Sequence, residues 1–298
     1  MRLLTCECSV GTAVEYQCSK PSRNSLSDQL YTTPTHFLLE LIQNADDNTY
    51  PGRVVPRLHL SLYKKARKGL FRSDCNETGF TFGQLDALTR IGKSRKGAAD
   101  GCKGYIGEKG IGFKSVFKVA DVVHVASGYY EFKFNRRDTI GMMLPIPCSF
   151  PSDDRVNGHT QFLLELKRNS DYAQIREDLR GIRSEILLFI RKLKQLDVSI
   201  HGEQIVYKVR TKHRDFGFGG ETVDISETTD RETKKTKYMI ERLTVEDLPS
   251  DPHREGIATS EVVVAFAVRD QTTPIVKAQP VFAFLPIHDC GFPVRLTP

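Results

Sequence analysis

Three oxygen-bearing side chains stand at turn spacing in the string FLLELIQNADDN. Glu40, Asn44 and Asp47 occupy positions i, i+4 and i+7, so a helix would set them along one face. The carboxamide oxygen of Asn44 suits Mg²⁺, a hard cation that takes oxygen ligands and keeps several waters. A carboxylate one turn earlier, Glu40, suits orienting or deprotonating a water for attack on a phosphate. The same spacing also describes an ordinary amphipathic helix with a solvated polar face, and this string alone does not separate the two.

A second group of residues tilts the balance toward phosphate chemistry. In IGEKGIGFKSVFKVADVVHV, Gly107, Gly110 and Gly112 precede a short helix expected over Ser115 to Val119. Glycines let backbone N–H groups approach an anion closely, and a helix start adds partial positive charge. Lys109 and Lys114 stand nearby as counter-charges. Two better-known phosphate loops are excluded. The glycine order is reversed from the dinucleotide fingerprint, and Ala87 stands where a P-loop ending in Gly92-Lys93-Ser94 needs glycine.

The elements that must position these groups are legible in outline. Thr33 and Pro34 suit a helix start, Leu38, Leu41, Ile42 and Ala45 recur at helical spacing, and Pro51 and Gly52 stop the run. Arg57 to Tyr63 alternates as a strand, followed by a second short extended stretch before Gly79. Phe82 to Ile91 reads as a short helix, and Gly92 to Gly112 as a long Gly- and Lys-rich loop. Val122 to Ala126 and Tyr129 to Phe134 read as paired strands around Ser127-Gly128, and Gln161 to Leu166 as another strand. The spacing then predicts one long amphipathic helix over Tyr172 to Leu196. Strands follow at Ile205 to Arg210, Lys237 to Leu243, Glu261 to Arg269 and Val281 to Leu285, with Asp215 to Lys235 as a loop.

Composition sets outer limits. The 298 residues carry a net charge of +6, mild and spread along the chain, which favours a role in solubility over nucleic-acid binding. Apolar runs such as Val262 to Val268 are far too short to span a bilayer, and the N-terminus lacks the sustained apolar region of a secretory signal. Seven scattered cysteines fit reduced thiols inside a cell, nucleus or cytoplasm alike, and the Cys6-x-Cys8 pair has no second pair at metal spacing.

ELIQNADDN followed by IGEKGIGFKSVF resembles the signature pair of the gyrase, heat-shock chaperone, histidine kinase and MutL (GHKL) ATPase superfamily. Within it, LYTTPTHFLLELIQNADDN, CNETGF, IGKSRK, the glycine box and VFAFLPIHDCGFPV resemble the sacsin-like and NO VEIN-like proteins. The resemblance implies an α+β fold, a two-layer sandwich of helices on a mixed, mostly antiparallel sheet (the Bergerat-type ATP-binding fold). It would occupy residues 29–205, after a loose extension at 1–28 and before a β-rich segment at 206–298. Its ligands would be ATP and Mg²⁺. Glu40 would be the general base, Asn44 the Mg²⁺ ligand and Asp47 a supporting acid. Gly107, Lys109, Gly110, Ile111, Gly112 and Phe113 would wrap the phosphates, Thr160 would lie beneath adenine, and the loop from Gly92 to Tyr105 would close as a lid.

Two departures stand out. Aligning Gly79 with the last glycine of the family's adenine box puts Cys75 where the family has Asp. Asp74, Asn76 or Glu77 must then read adenine, and the sacsin-like pattern favours Asn76 with Glu77 behind it. The basic residue that reaches the terminal phosphate in several branches is expected beyond Pro298, so the chain reads as truncated or naturally short. Three functions fit: an ATP-dependent switch with slow, chaperone-like cycling through an unknown protein partner or self-association; a nucleotide-binding module without turnover; or a nucleic-acid- or chromatin-associated ATP clamp. A histidine-type kinase would need a dimerisation helix upstream, for which residues 1–30 are too short and polar.

Overall fold

A computed structural model describes residues 36–89, 113–138, 141–142, 144–212, 221–247, 259–269, 275, 281–283 and 285–288. The first helix, α1 (His36–Asp47), follows the expected periodicity. Phe37, Leu38, Leu41, Ile42 and Ala45 are buried, while Glu40 and Asn44 stay half-buried. Fully burying a side chain of the Leu, Ile or Phe class contributes about 1.5–3 kcal/mol, so this stripe fixes which side of α1 meets the core. Thr33 and Pro34 lie outside the described residues.

β1 (Arg57–Lys65) and β2 (Lys68–Cys75) form an antiparallel hairpin. Its two-residue turn places Ala66 and Arg67 at φ 47 and 67, the paired left-handed conformation that matches strand twist. A short helix, α2 (Phe82–Thr89), and a 3-10 turn (Phe113–Lys118) lead into β3 (Ala120–Ser127) and β4 (Tyr130–Asn135). These two strands pair around Gly128 as the sequence predicts, with Ser127 opposite Tyr130. β5 (Ile146–Pro147) edges the sheet, and β6 (Thr160–Leu166) inserts between β2 and β3.

The helix expected over 172–196 starts three residues earlier and stops far sooner. α3 (Asn169–Arg180) ends at Gly181, the chain turns extended at Arg183 and a 3-10 turn (Ser184–Leu188) follows. The physical reason lies downstream. The backbone N–H groups of Arg191, Lys192 and Leu193 donate to the Asp46 carboxylate at 2.8, 2.7 and 2.8 Å, so they are withdrawn from any helical ladder. β7 (Gln195–Ile200) begins just beyond and pairs with β1 in parallel.

From β7 the chain continues as an antiparallel meander: β8 (Glu203–Lys212), β9 (Glu221–Thr229), β10 (Thr233–Val245) and β11 (Ser260–Val268). β9 falls where a loop was expected. Its Val223 and Ile225 alternate into the core between polar neighbours, a period-2 signal masked by the surrounding polar residues. β12 (Val281–Ala283) and β13 (Leu285–His288) pair separately.

The expected two-layer sandwich of helices on a sheet is therefore corrected. The main sheet has eleven strands in the order β11-β10-β9-β8-β7-β1-β2-β6-β3-β4-β5. At about 4.8 Å between strands it spans roughly 48 Å. The described helices have 12, 8 and 12 residues, and a 12-residue helix is only about 18 Å long. They cannot form a second layer over such a sheet; α3 packs on β1, β2 and β6, and the 184–188 turn covers β8 and β9. Among the described residues no helix is long and apolar enough to cross a membrane.

Two stability effects follow. Asp46 is 1% exposed, and replacing it with Ala removes the acceptor of three amide donors, that of Leu193 buried and those of Arg191 and Lys192 partly so. Asp46→Ala should lower unfolding free energy by about 3–5 kcal/mol, measured by urea denaturation, with Asp46→Asn recovering part of the loss. Glu165 is the second. A hydrogen bond from His124 at 3.2 Å and the Lys68 ammonium hold its pKa down to about 2, below the ordinary 4.5. Because the folded pKa is the lower one, this contribution is full above about 4.5 and disappears as pH falls toward about 2. Acid titration of stability should show a loss of about 1 kcal/mol in that window, absent in Glu165→Gln.

Candidate functional site

The C-terminal end of α1, the C-terminal end of β2, the start of β6 and the β3–β4 turn meet through short polar contacts. The Tyr50 hydroxyl donates to the Ala45 carbonyl at 2.6 Å and contacts the Cys75 thiol at 3.2 Å. Lys192 donates to the carbonyls of Asp47 and Asn48 at 3.0 and 2.8 Å, closing the helix terminus that Asp46 anchors from the side. Asp47 itself is buried. Thr78 donates through its amide and hydroxyl to the Thr49 carbonyl at 2.9 and 3.1 Å.

Strand register completes the frame. Cys75 lies opposite Leu58 on one side and Thr160 on the other. Thr160 is buried, its hydroxyl 2.6 Å from that of Ser127, which accepts the Phe80 amide at 2.8 Å. Gly79 has φ +90, and a Cβ there would lie 3.2 Å from the Gly128 amide nitrogen. Only glycine meets both demands, so this glycine packs the 76–80 loop onto the β3–β4 turn.

The three residues that the resemblance offers in place of an adenine-reading Asp have different surroundings. Strand alternation sends Asp74 to the opposite sheet face from Cys75. There it accepts from Arg72 at 2.9 Å and from Gln161, with His59 4.0 Å away. Tyr63 donates to Asp154 beside this network, and burial holds the His59 imidazole below its usual pKa. Asn76 is engaged by backbone at both ends of its carboxamide: its oxygen accepts the Arg57 amide at 2.8 Å and its nitrogen donates to the Val55 carbonyl at 2.9 Å. Glu77 is buried and close enough to Cys75 and Tyr50 to raise both pKa values.

The 3-10 turn that follows the glycine segment in the chain packs against α1. Gly107, Lys109, Gly110, Ile111 and Gly112 lie outside the described residues, as does the expected lid. Phe113, the next residue, is buried with its ring 5.1 Å from Phe162 and 6.1 Å from Phe134. It opens that turn. Lys114 points into the β4 side, donating to the Met142 carbonyl and lying 4.8 Å from the Phe134 ring centroid; burial pushes its pKa down to about 8. Among the described residues no group of three or more His, Cys, Asp or Glu could hold a metal. A magnesium ion taking one carboxamide oxygen, with waters and phosphate oxygens completing its shell, needs no such group, and half-buried Asn44 suits that donor set.

Sequence reasoning passed over Asp46, Tyr50 and Ser127. Asp46 had a weak signal: in a two-acid string, the acid on the apolar side of a helix must find buried donors. Tyr50 and Ser127 had none, since their roles arise from strand register.

No family model matches the chain. It is 32% identical over 282 residues to Protein NO VEIN of Arabidopsis thaliana, an alignment covering 89% of this chain and 10% of that protein. The chain thus resembles a NO VEIN protein over most of its own length and spans about a tenth of that relative.

The Cys75 thiol gives a chemical check on this packing, with Cys148, outside the site, as the comparison. Burial, then the Glu77 charge, pushes the Cys75 thiol up to about 12. Cys75 should stay unmodified by iodoacetamide at pH 8 in the native protein while half-buried Cys148 reacts. Peptide mass spectrometry before and after denaturation reads the difference.

Proposed function

We propose that this chain, homologous to one stretch of a NO VEIN protein, binds Mg-ATP in the manner of the gyrase, chaperone, histidine kinase and MutL group and uses it as a conformational switch with slow hydrolysis. The observation supporting it most directly is the packing of α1 against the 3-10 turn at Phe113. That contact sets the turn opened by Phe113, the residue next after the glycine segment in sequence, against the helix bearing Glu40 and Asn44. Mg²⁺, held by the Asn44 carboxamide, would supply positive charge against the phosphates.

Each residue has a distinct task. Asn44 offers its carboxamide oxygen to the cation, which a neutral ligand can do without repelling phosphate. Glu40, one turn earlier, orients a water or takes its proton. On the base side, Glu77 is the better acceptor for an adenine amino group. Asp74 faces the other side of the sheet, and the Asn76 carboxamide bridges backbone groups. Thr160, tied to Ser127, forms the floor.

Calorimetric titration of the 298-residue chain with ATP and Mg²⁺ tests this reading. One site per chain is expected, with Asn44→Ala weakening it about tenfold or more. Glu40→Ala should retain binding and lose phosphate release. A folded sample that gives no heat, or an Asn44→Ala variant that binds equally well, would sink the proposal.

A further inference from the structure

A second charged feature lies at the far end of the same strands. β2 runs from Lys68 to Cys75, and β6 runs back from Thr160 to Leu166. At about 3.3 Å per residue, the Lys68 and Leu166 ends stand roughly 23 Å from Cys75 and Thr160. A cleft of about 420 Å³ opens there. Arg67 and Lys68 reach it from the β1–β2 turn, Arg137 from the end of β4, and Lys167 and Arg168 from the junction of β6 with α3.

The charges in this cleft do not balance. Asp121 is shared by Arg137 at 2.9 Å, Arg136 at 3.7 Å and Lys167 at 3.9 Å. Glu165 takes Lys68 and His124, and Asp171 takes Arg168 at 2.9 Å. Five Lys and Arg side chains thus line the cleft against the two carboxylates Asp121 and Glu165, with Arg136 and Asp171 outside its lining. Arg67 is exposed and has no ion pair or hydrogen bond among the described residues. Lys167 is fixed in place by donating to the Phe117 and Lys118 carbonyls at 2.6 and 3.1 Å. Burial, then Arg136, holds its pKa below the usual lysine value, the direction that a bound anion would reverse.

We propose that this cleft binds a compact anion carrying two or more phosphate groups. Guanidinium groups from separate turns suit phosphate oxygens, which accept from several directions at once. The basic turns sit at the ends of β2, β6 and β4, spread over roughly 14 Å of sheet, the scale of a small polyphosphate. No aromatic side chain lines the cleft among the described residues, so it lacks the stacking platform that single-stranded nucleic acid uses. The site is independent of the ATP proposal.

Titration of the full chain with sodium tripolyphosphate, without Mg²⁺, tests it. Saturable binding that weakens with added salt is expected. Arg67→Asn tolerates the left-handed φ, and Arg137→Gln leaves Asp121 two other cations. Together they should weaken binding roughly tenfold or more, and Arg67→Lys with Arg137→Lys should restore most of it. Asn44→Ala should have no effect. Binding lost in Asn44→Ala but kept in the double variant would place the anion elsewhere and overturn the proposal, as would no binding by a folded sample. Vesicles containing phosphatidylinositol bisphosphate identify a lipid headgroup if they capture the chain and the double variant is not captured. Competition by soluble inositol hexakisphosphate without vesicle capture identifies a free ligand. Equal capture by phosphatidylserine vesicles of matched charge would refute selectivity for clustered phosphate.

Discussion

One buried carboxylate sets the geometry on which the candidate site depends. Asp46 sits on the last turn of α1 and accepts three consecutive backbone amides from residues 191–193. A desolvated carboxylate persists only when its oxygens are well supplied with donors, so the arrangement leaves little freedom on either side. It fixes the roll of α1, and with it the direction in which Glu40 and Asn44 face. It also fixes the approach to β7, because Lys194 and Gln195 then donate to the Pro56 carbonyl just before β1. Helix orientation and the parallel joint of the sheet share one anchor.

The central strands carry two chemically different faces. Leu58, Leu60 and Leu62 point to the side of α1 and α3, with Phe71 and Cys75 beside them. The intervening His59, Ser61 and Tyr63 meet Arg72, Asp74 and Gln161 on the other side, under Asp154. Burying such a polar layer is tolerable because its members bond one another. That layer explains why an acid one residue away from Cys75 is a structural part, while Glu77, beyond the strand, keeps to the side of the candidate site.

What the sequence disclosed followed the range of the interactions involved. α1, β1 and the β3–β4 hairpin depend on local periodicity and turn chemistry, and their outlines were legible. The 172–196 segment reads as one helix because its apolar residues suit one; the competing interaction, with Asp46, comes from far away in the chain. β9 was missed since only Val223 and Ile225 mark its buried side. The two-layer fold was inferred from motifs, and motifs say nothing about how many strands a sheet accretes. For the site, Glu40 and Asn44 were legible as a spacing, whereas the environments separating Asp74, Asn76 and Glu77 required the register of three strands.

The parallel joint between β1 and β7 bears on the order of folding. Strands β7 to β11 are joined in sequence order by antiparallel pairing, so their contacts close short loops. Pairing β1 with β7 brings residue 57 beside residue 195. Closing a loop that long costs about 2 kcal/mol more chain entropy than closing a ten-residue one. Segments rich in local contacts assemble quickly and long-range pairing lags. The meander is thus suited to form early, and the Asp46 clasp to come late, when both halves of the sheet are in reach. The residues that bear the candidate chemistry would acquire their final bearings in that last step.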